Sequence, residues 1–180
     1  MTHLTPEEFE AIFDRFQRSA FRLELLDYYA AANEAEPLRR FLAGQPQDPA
    51  WREPWKQFIR EAVRDGRRVA RVHVIDEPLS DYLRFELTCG YPAGAAAGED
   101  VRIFLRHLYP KLIFPAHDFW LFDDREAVVM AYDGHGGFLG ADLTSDPDVV
   151  ARCRHVRDFS MNLSFPLSDY LASLGMKEAV

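Results

Sequence analysis

The sequence contains little cysteine, and its two cysteines are too few for a disulfide framework. Cys89 and Cys153 are the two cysteines among 180 residues, and each stands alone in its segment. Disulfide-stabilised secreted domains instead carry several regularly spaced cysteines. We therefore expect a reducing compartment in which both thiols serve as small hydrophobic core residues. A reactive pair is the alternative.

A secretion signal and a long hydrophobic run are also lacking. The first eight residues, Met1 to Glu8, contain neither a basic region nor an apolar core. No later stretch stays apolar for the roughly 20 residues that a membrane-spanning helix needs. We therefore expect a cytoplasmic protein that is neither secreted nor inserted in a membrane.

Positive charge is in deficit. The chain has 21 Lys and Arg against 29 Asp and Glu, a formal net charge of −8. Phosphate surfaces repel an acidic partner, so direct nucleic-acid binding is not expected. A local basic patch along one predicted helix and the turn after it is the alternative. A solvent-exposed helix end, whose cations complement the helix dipole, explains the same residues. The residues concerned are Arg60, Arg64, Arg67, Arg68 and Arg71.

Motifs for metal binding and nucleophilic catalysis are lacking too. No Ser-His-Asp, Cys-His or paired-carboxylate order can be assigned from the sequence. The glycine-rich segment 133–137 joins two predicted strands, whereas phosphate-binding glycine loops lead into a helix. Its glycines therefore indicate a turn. The sequence predicts no metal and no cofactor.

What the chain does contain is the composition of a folded domain. Hydrophobic residues make up 48% and aromatic residues 13% of the sequence. This length can bury a substantial core, and such a composition is far from that of disordered chains. We expect one domain covering residues 1–180.

The hydrophobic pattern predicts alternating helices and strands. The segment 5–8, Thr-Pro-Glu-Glu, is typical of a capped helix start. Arg22 and Glu24 alternate with apolar residues and predict a half-buried strand. The predicted helices begin near 6, 34, 54, 78, 147 and 166, the predicted strands are 20–26, 68–75, 101–105, 118–122, 127–132 and 138–143, and 90–98 is predicted to be a flexible loop.

This element order predicts an α/β fold. The run 68–75 is dense enough in β-branched residues to be covered on both faces. The last three strands are separated by turn sequences of the hairpin kind, which predicts a C-terminal β-meander. We therefore expect a single mixed sheet with helices on both faces.

Four segments resemble a large actinomycete family of uncharacterised domains. They are EPLRRFLAG at 36–44, EPLSDYLRFE at 77–86, AGEDVR at 97–102 and DFWLFDD at 118–124. The resemblance extends from roughly residue 20 to 160. Members of that family are often encoded beside helix-turn-helix regulators, which implies a partner in transcriptional control.

A second resemblance is to the phospholipase D superfamily. That superfamily carries the motif His-x-Lys-x-x-x-x-Asp, and His117, Phe119 and Asp124 occupy its three spacings here. Phe119 can neither carry charge nor donate a hydrogen bond to phosphate. The resemblance therefore implies a degenerate phospholipase D-like half of the kind found as sensor modules, with the fold kept and the chemistry lost.

The candidate site lies where two predicted strands end. Open α/β sheets place ligands beyond the carboxyl ends of their strands, and the strand 68–75 leads into a polar segment there. If the strand 118–122 is a neighbour, both segments line one hollow. Several of these residues serve equally well as helix-start or turn residues. The candidate ligand-binding residues are Asp76, Glu77, Ser80, Asp81, Tyr82, Arg84, His117, Asp118 and Trp120.

Two functional hypotheses follow. The first is a noncatalytic regulatory domain that binds a helix-turn-helix regulator or a small molecule. The second is a small biosynthetic or hydrolytic enzyme that uses a pocket near 76–84 and 117–120. The enzyme requires His117, an aspartate and Arg84 within reach of one molecule, and it predicts a shifted pKa in a closed pocket. The sequence does not reveal the oligomeric state.

Overall fold

A computed structural model describes residues 1–176 and contains one eight-stranded mixed sheet. The strand order is β1-β7-β6-β5-β2-β3-β4-β8; β3 pairs in parallel with β2 and β4, and the other pairs are antiparallel. The predicted α/β class with a mixed sheet and a β-meander is confirmed. The strands are β1 Thr2–His3, β2 Ser19–Glu24, β3 Arg68–Ile75, β4 Asp100–Leu105, β5 Asp118–Phe122, β6 Glu126–Tyr132, β7 Phe138–Thr144 and β8 Phe165–Pro166.

Helices cover both faces of this sheet. On one face α1 and α3 pack on a cluster that includes Ile12, Ile59 and Trp120. On the other face α6 packs on a cluster that includes Leu23, Phe119 and Val156. A third cluster lies on the same face as the first, around β4, and is enclosed by α4, α5 and α7. The helices are α1 Pro6–Arg15, α2 Ala35–Leu42, α3 Glu53–Arg64, α4 Asp81–Phe85, α5 Tyr91–Ala97, α6 Pro147–Leu163 and α7 Leu167–Ser173.

The predicted flexible loop at 90–98 is wrong. A π-helical turn, Glu86–Gly90, continues directly into α5, and most of this segment is buried. Small residues let the segment pack closely against the core, and a Gly/Ala-rich sequence without long apolar side chains hides that burial from a periodicity analysis. The two-residue edge strands β1 and β8 were not predicted because they are too short to show a period.

Helix caps and turns follow the predicted chemistry. Thr5 and Glu8 form the predicted capping box at the start of α1. Asp123 and Asp124 both have positive φ, at 52° and 61°, and form the predicted hairpin turn between β5 and β6. The carboxylate of Asp123 also accepts three backbone N–H groups, from Gln17 at 2.8 Å, Arg18 at 2.7 Å and Ser19 at 2.9 Å. This turn therefore fixes the start of the central strand β2.

No helix among residues 1–176 combines the length and the apolar character that crossing a bilayer requires.

We expect Asp123→Ala to lower the free energy of unfolding by at least about 1.5 kcal/mol more than Asp124→Ala, since three backbone hydrogen bonds to a charged acceptor are lost in the first variant alone. Both variants place alanine at a positive φ, so the backbone strain is matched. Asp124 instead pairs with Arg157 near the surface, where ion pairs contribute little. Urea denaturation measures both variants, and equal values would contradict the anchoring role of Asp123.

Candidate functional site

An ionic network lies beneath the helices at the edge where β2 and β3 end and β5 begins. Arg22 pairs in register with Arg71, and Glu24 with His73, on the face covered by α1, α3 and α5. Arg71 donates to both carboxylate oxygens of Glu24, at 2.9 and 3.1 Å, and to Glu99 at 2.7 Å. Arg22 and Glu24 are 4% and 7% exposed, so these charges are buried and compensate one another.

The first strand of the meander contributes Asp118 to this network. Its carboxylate accepts hydrogen bonds from Arg22 at 2.9 Å, from the Tyr29 hydroxyl at 2.6 Å and from the Leu25 backbone N–H at 3.0 Å. Asp118 is 2% exposed. It therefore ties the start of β5 to the segment that follows β2.

A second set of charges lies above the sheet. Arg52 donates to both carboxylate oxygens of Glu86, at 3.1 and 3.0 Å, and its nearest approach to Glu34 is 3.9 Å. The Tyr82 hydroxyl donates to Glu34 at 2.7 Å. The Arg52 guanidinium also stacks on Trp51, 4.2 Å from the ring centroid. Arg52 is thus held in place from two sides.

The π-helical turn brings the buried carboxylates into position. A Cβ at Gly90 would lie 2.5 Å from both the Arg52 Nη2 and the Glu86 Oε1 atoms. A Cβ at Gly94 would lie 2.2 Å from the Glu99 Oε2 atom. Side chains at these two positions would therefore collide with the ion pairs. Such π-turns are frequent at functional sites.

The two sets of charges border a cavity of about 270 Å³. It opens beside the Tyr28-containing loop after β2, at the carboxyl end of that strand. Larger hollows lie elsewhere, of about 740, 590, 520 and 400 Å³. Those of 740 and 400 Å³ lie at the opposite edge of the sheet, and that of 590 Å³ is largely apolar. The hollow of 520 Å³ lies between the loop after β2 and the turn that joins β6 to β7. We call the small cavity the polar pocket; it is lined by Phe9, Arg22, Glu24, Tyr29, Ala30, Ala31, Glu34, Arg52, Arg71, Tyr82, Glu86, Met130, Tyr132, Gly136 and Phe138.

Burial and neighbouring charges drive the carboxyl pKa values in the pocket in opposite directions. Burial alone would raise the pKa of Glu24, but Arg71, His73 and Arg22 outweigh it and hold that pKa at about 2. For Glu86, burial raises the pKa to about 8. Arg52 offsets this rise only in part, and repulsion from Glu34 adds to it. Burial also raises the pKa of Glu34. The outer carboxyl pair therefore retains a proton near neutral pH, while Glu24 is ionised.

Two predicted site residues belong to this arrangement and a third lies against it. Tyr82 lines the polar pocket, and Asp118 binds the pocket residues Arg22 and Tyr29. Trp120 is buried in the core, with the Arg22 guanidinium 5.7 Å from its ring centroid. In the sheet β2 lies between β3 and β5. Arg71 of β3 lines the pocket, and Asp118 of β5 reaches it through Arg22 and Tyr29.

The other predicted site residues lie outside the pocket. Asp76 is exposed and pairs with Arg106, and Glu77 accepts a hydrogen bond from the Tyr170 hydroxyl. Ser80 caps α4, the alternative role weighed for it, and Asp81 pairs with Arg84 on the surface.

His117 is exposed and lies on the opposite face, in the apolar groove beside α6. His117, Arg84 and Asp118 therefore do not meet around one cavity.

Sequence reasoning missed most of the charged pocket residues. Arg22 and Glu24 have the pattern of a solvent-facing strand side, but helices cover that side, so the prediction of a half-buried strand is wrong. Arg71 is part of β3 and its side chain is 11% exposed, so it does not belong to a solvated helix end. One signal was present: β2 and β3 place Arg, Glu and His at alternate positions of central strands, where charges must find partners.

Among residues 1–176, no three His, Cys, Asp or Glu side chains converge in a way that could hold a metal ion. The carboxylates of the pocket are instead engaged by guanidinium and hydroxyl groups. This arrangement can bind a small polar molecule and exchange a proton with it.

The sequence matches one known family over most of its length. The model of a domain of unknown function, DUF6879, matches residues 7–172. The chain belongs to the DUF6879 family. The predicted resemblance to a family of uncharacterised domains is confirmed to that extent. No curated protein matches the sequence.

Two solved structures resemble the DUF6879 chain in fold. A phospholipase D family member, Nuc from Salmonella typhimurium, has a TM-score of 0.50 and 10% identity over 92% of this chain and 94% of that chain. TrmBL2, an archaeal chromatin protein with a novel mode of DNA binding, has a TM-score of 0.48 and 11% identity. That match covers 88% of this chain and 48% of TrmBL2, so the chain spans about half of its length. The predicted phospholipase D-like fold is confirmed, and identities this low transfer no activity.

The degenerate motif lies along β5 of the DUF6879 chain. His117 precedes the strand and Asp124 follows it, so a five-residue strand of roughly 17 Å separates them. Phe119, at the lysine position, is 2% exposed and packs against Phe21 in the apolar core. The three motif positions therefore do not form a phosphate site.

We expect Gly90→Ala to destabilise the protein by at least about 1 kcal/mol, because the clash outweighs the helix propensity that alanine gains over glycine. The added Cβ would displace the ion pair of Arg52 with Glu86. Gly134→Ala is the matched control, since nothing lies within 4 Å of a Cβ there. Chemical denaturation measures both, and a Gly90→Ala variant as stable as the control would refute the close approach.

We expect Glu86→Gln to flatten the pH dependence of stability between about pH 5 and pH 8. The pKa of Glu86 is about 8 in the folded protein, above the ordinary 4.5, so the folded state binds a proton that the unfolded chain releases. The stabilisation that this bound proton gives to the folded state is fully present below about pH 4.5, and it is lost as the pH rises through 8.

Urea titrations across this pH range measure the slope for wild type and variant. Glu36→Gln serves as the control, because Arg39 lowers the pKa of Glu36. The titration of Glu36 therefore changes stability below about pH 5 and leaves the slope between about pH 5 and pH 8 unaffected. Parallel slopes for wild type and Glu86→Gln would show that Glu86 is ionised throughout.

Proposed function

We propose that this chain is a noncatalytic ligand-binding domain that serves cytoplasmic regulation, with a small molecule bound in the polar pocket. The observation that carries the proposal is a cavity at the carboxyl edge of the sheet whose walls are buried, charged and already hydrogen-bonded. Such a cavity keeps its shape before a ligand arrives, and it combines aromatic walls with a few fixed polar groups. Its volume suits a small ligand.

The lining favours binding over nucleophilic catalysis. The described lining of the pocket includes no Ser, Thr, Cys, Lys or His side chain. Arg22 and Arg71 are each engaged by carboxylates, which leaves them without the freedom of a catalytic clamp. This pattern supports recognition of a ligand by fixed groups.

One observation favours the enzyme alternative. A carboxyl with a pKa near 8 is the kind of group that acts as a general acid at neutral pH. Glu86 is 3% exposed and paired with Arg52, whereas the Glu34 side chain is 12% exposed, so a substrate would meet Glu34 first. An enzyme would therefore use Glu34 and Glu86, not the residues near His117. Turnover of a bound molecule would distinguish this alternative.

The regulatory partner stays a prediction that rests on the family resemblance. A helix-turn-helix regulator is the partner we propose, and direct nucleic-acid binding by this chain is not part of the proposal. Recovery of such a regulator with the tagged protein from its native cells supports it. Recovery of the chain without any regulator argues against it.

We expect Ala31→Trp to abolish ligand binding while leaving the fold intact. Ala31 lines the polar pocket and is half-buried, so an indole at this position fills the cavity. Ala32→Trp is the matched control, because Ala32 is exposed and is not part of the lining. Native mass spectrometry after incubation with a metabolite extract should show an adduct on wild type and Ala32→Trp but not on Ala31→Trp. Identical spectra for all three proteins would refute a ligand in this pocket.

A further inference from the structure

With every carboxyl group ionised, the charges around the polar pocket do not balance. Five buried or nearly buried carboxyl groups face three guanidinium groups there. The carboxyl groups are those of Glu24, Glu34, Glu86, Glu99 and Asp118, and the guanidinium groups are those of Arg22, Arg52 and Arg71. Even with His73 counted as a fourth cation, one carboxyl group stays in excess. Uncompensated negative charge is costly at this depth, so the site favours an added cation.

The excess falls on Glu34. Arg22 and Arg71 are each shared between two carboxylates, and the Nη2 group of Arg52 donates to both carboxylate oxygens of Glu86. Glu34 receives one hydrogen bond, from Tyr82 at 2.7 Å, while the guanidinium of Arg52 stays 3.9 Å away. Its side chain is 12% exposed and lines the cavity. Glu34 is therefore the carboxyl group that an incoming cation would reach.

Aromatic rings surround the same space. Tyr29, Tyr82 and Tyr132 line the cavity, with the Tyr29 ring 6.3 Å from Tyr82 and 5.2 Å from Tyr132. Tyr28 packs edge-on against Tyr82 at 5.0 Å and is partly exposed. Tyrosine faces attract ammonium groups, most strongly where water is excluded. A carboxylate beside tyrosine rings is the chemistry that recognises an organic cation.

We propose that the polar pocket binds a small organic cation whose ammonium group pairs with Glu34 against the tyrosine rings. This proposal rests on the ligand-binding function proposed above and names the class of ligand. Small anions are disfavoured, because each guanidinium group of the pocket already pairs with at least one carboxylate. A metal ion is disfavoured, because no three His, Cys, Asp or Glu side chains in the described part of the chain converge on a point.

Binding should release a proton to the buffer. The raised pKa values of Glu34 and Glu86 mean that this pair holds a proton when the pocket has no cation. When an ammonium group binds, it compensates the negative charge of the carboxyl pair, and the proton is released to the buffer. The charged and titratable groups that face this pair are Arg52, Arg71, Tyr82, Tyr91, Cys89 and Glu24.

The experiment is isothermal titration calorimetry of the whole chain with butylammonium, tetramethylammonium and putrescine, and with butyrate and inorganic phosphate as anionic probes. Titrations near pH 7 in two buffers of different ionisation enthalpy report the protons released. We expect at least one cation to bind with proton release, and neither anion to bind. Glu34→Gln should weaken cation binding at least about tenfold, as expected when one partner of a buried charge pair is removed.

Glu36→Gln is the matched control, since Glu36 lies two residues away, is exposed and pairs with Arg39. Ala31→Trp, which fills the cavity without altering any charge, provides a second variant should Glu34→Gln fold poorly. Cation binding that survives Glu34→Gln and Ala31→Trp unchanged would overturn the site.

Binding of butyrate or phosphate alone, lost in Ala31→Trp, would overturn the cation class while leaving the pocket a ligand site. Absence of binding by every probe would overturn the cation class. The metabolite experiment with Ala31→Trp then tests separately whether the pocket binds any ligand.

Discussion

The structure depends on a buried ionic network at the carboxyl ends of its central strands. Arg71 links Glu24 of the neighbouring strand to Glu99, and Arg22 links Glu24 to Asp118. Removing water from such groups costs several kcal/mol each, and removal of one partner leaves a stranded charge that typically costs about 3–5 kcal/mol. The network therefore constrains the sheet register, the approach of α5 and the start of the meander at the same time.

The glycine-rich segment after α4 is a consequence of that constraint. Gly90 and Gly94 lie directly against the carboxylates of Glu86 and Glu99, where a methyl group has no room. A π-turn shifts the phase of the helix and lets a single continuous segment present both carboxylates to the sheet. The polar pocket is the space between this segment, the loop after β2 and the meander. Its charge, its shape and the proposed preference for a cation thus have one origin.

Much of the fold could be predicted because its signals are local. Short apolar runs separated by hairpin turns identified the strands of the meander, and proline with acidic residues identified helix starts. Tyr82 and Asp118 were predicted near the site because strand ends converge in α/β sheets. Arg22, Glu24 and Arg71 were missed because alternation separates the two faces of a strand without telling what covers each face. The segment 90–98 was misread because small residues give the same local signal in a loop and in a tightly packed helix.

The sequence by itself determined the element order, the mixed sheet with its meander, the turn at Asp123 and Asp124 and the family to which the chain belongs. These properties follow from short-range spacing and turn chemistry. Only the tertiary structure decided that five carboxyl groups meet three guanidinium groups around one cavity, and that His117 lies on the other face. Side chains from β2, β3, β5, the π-turn and the 3₁₀ turns Ala32–Glu34 and Pro49–Arg52 come together through long-range packing. Burial then sets which of them hold charge.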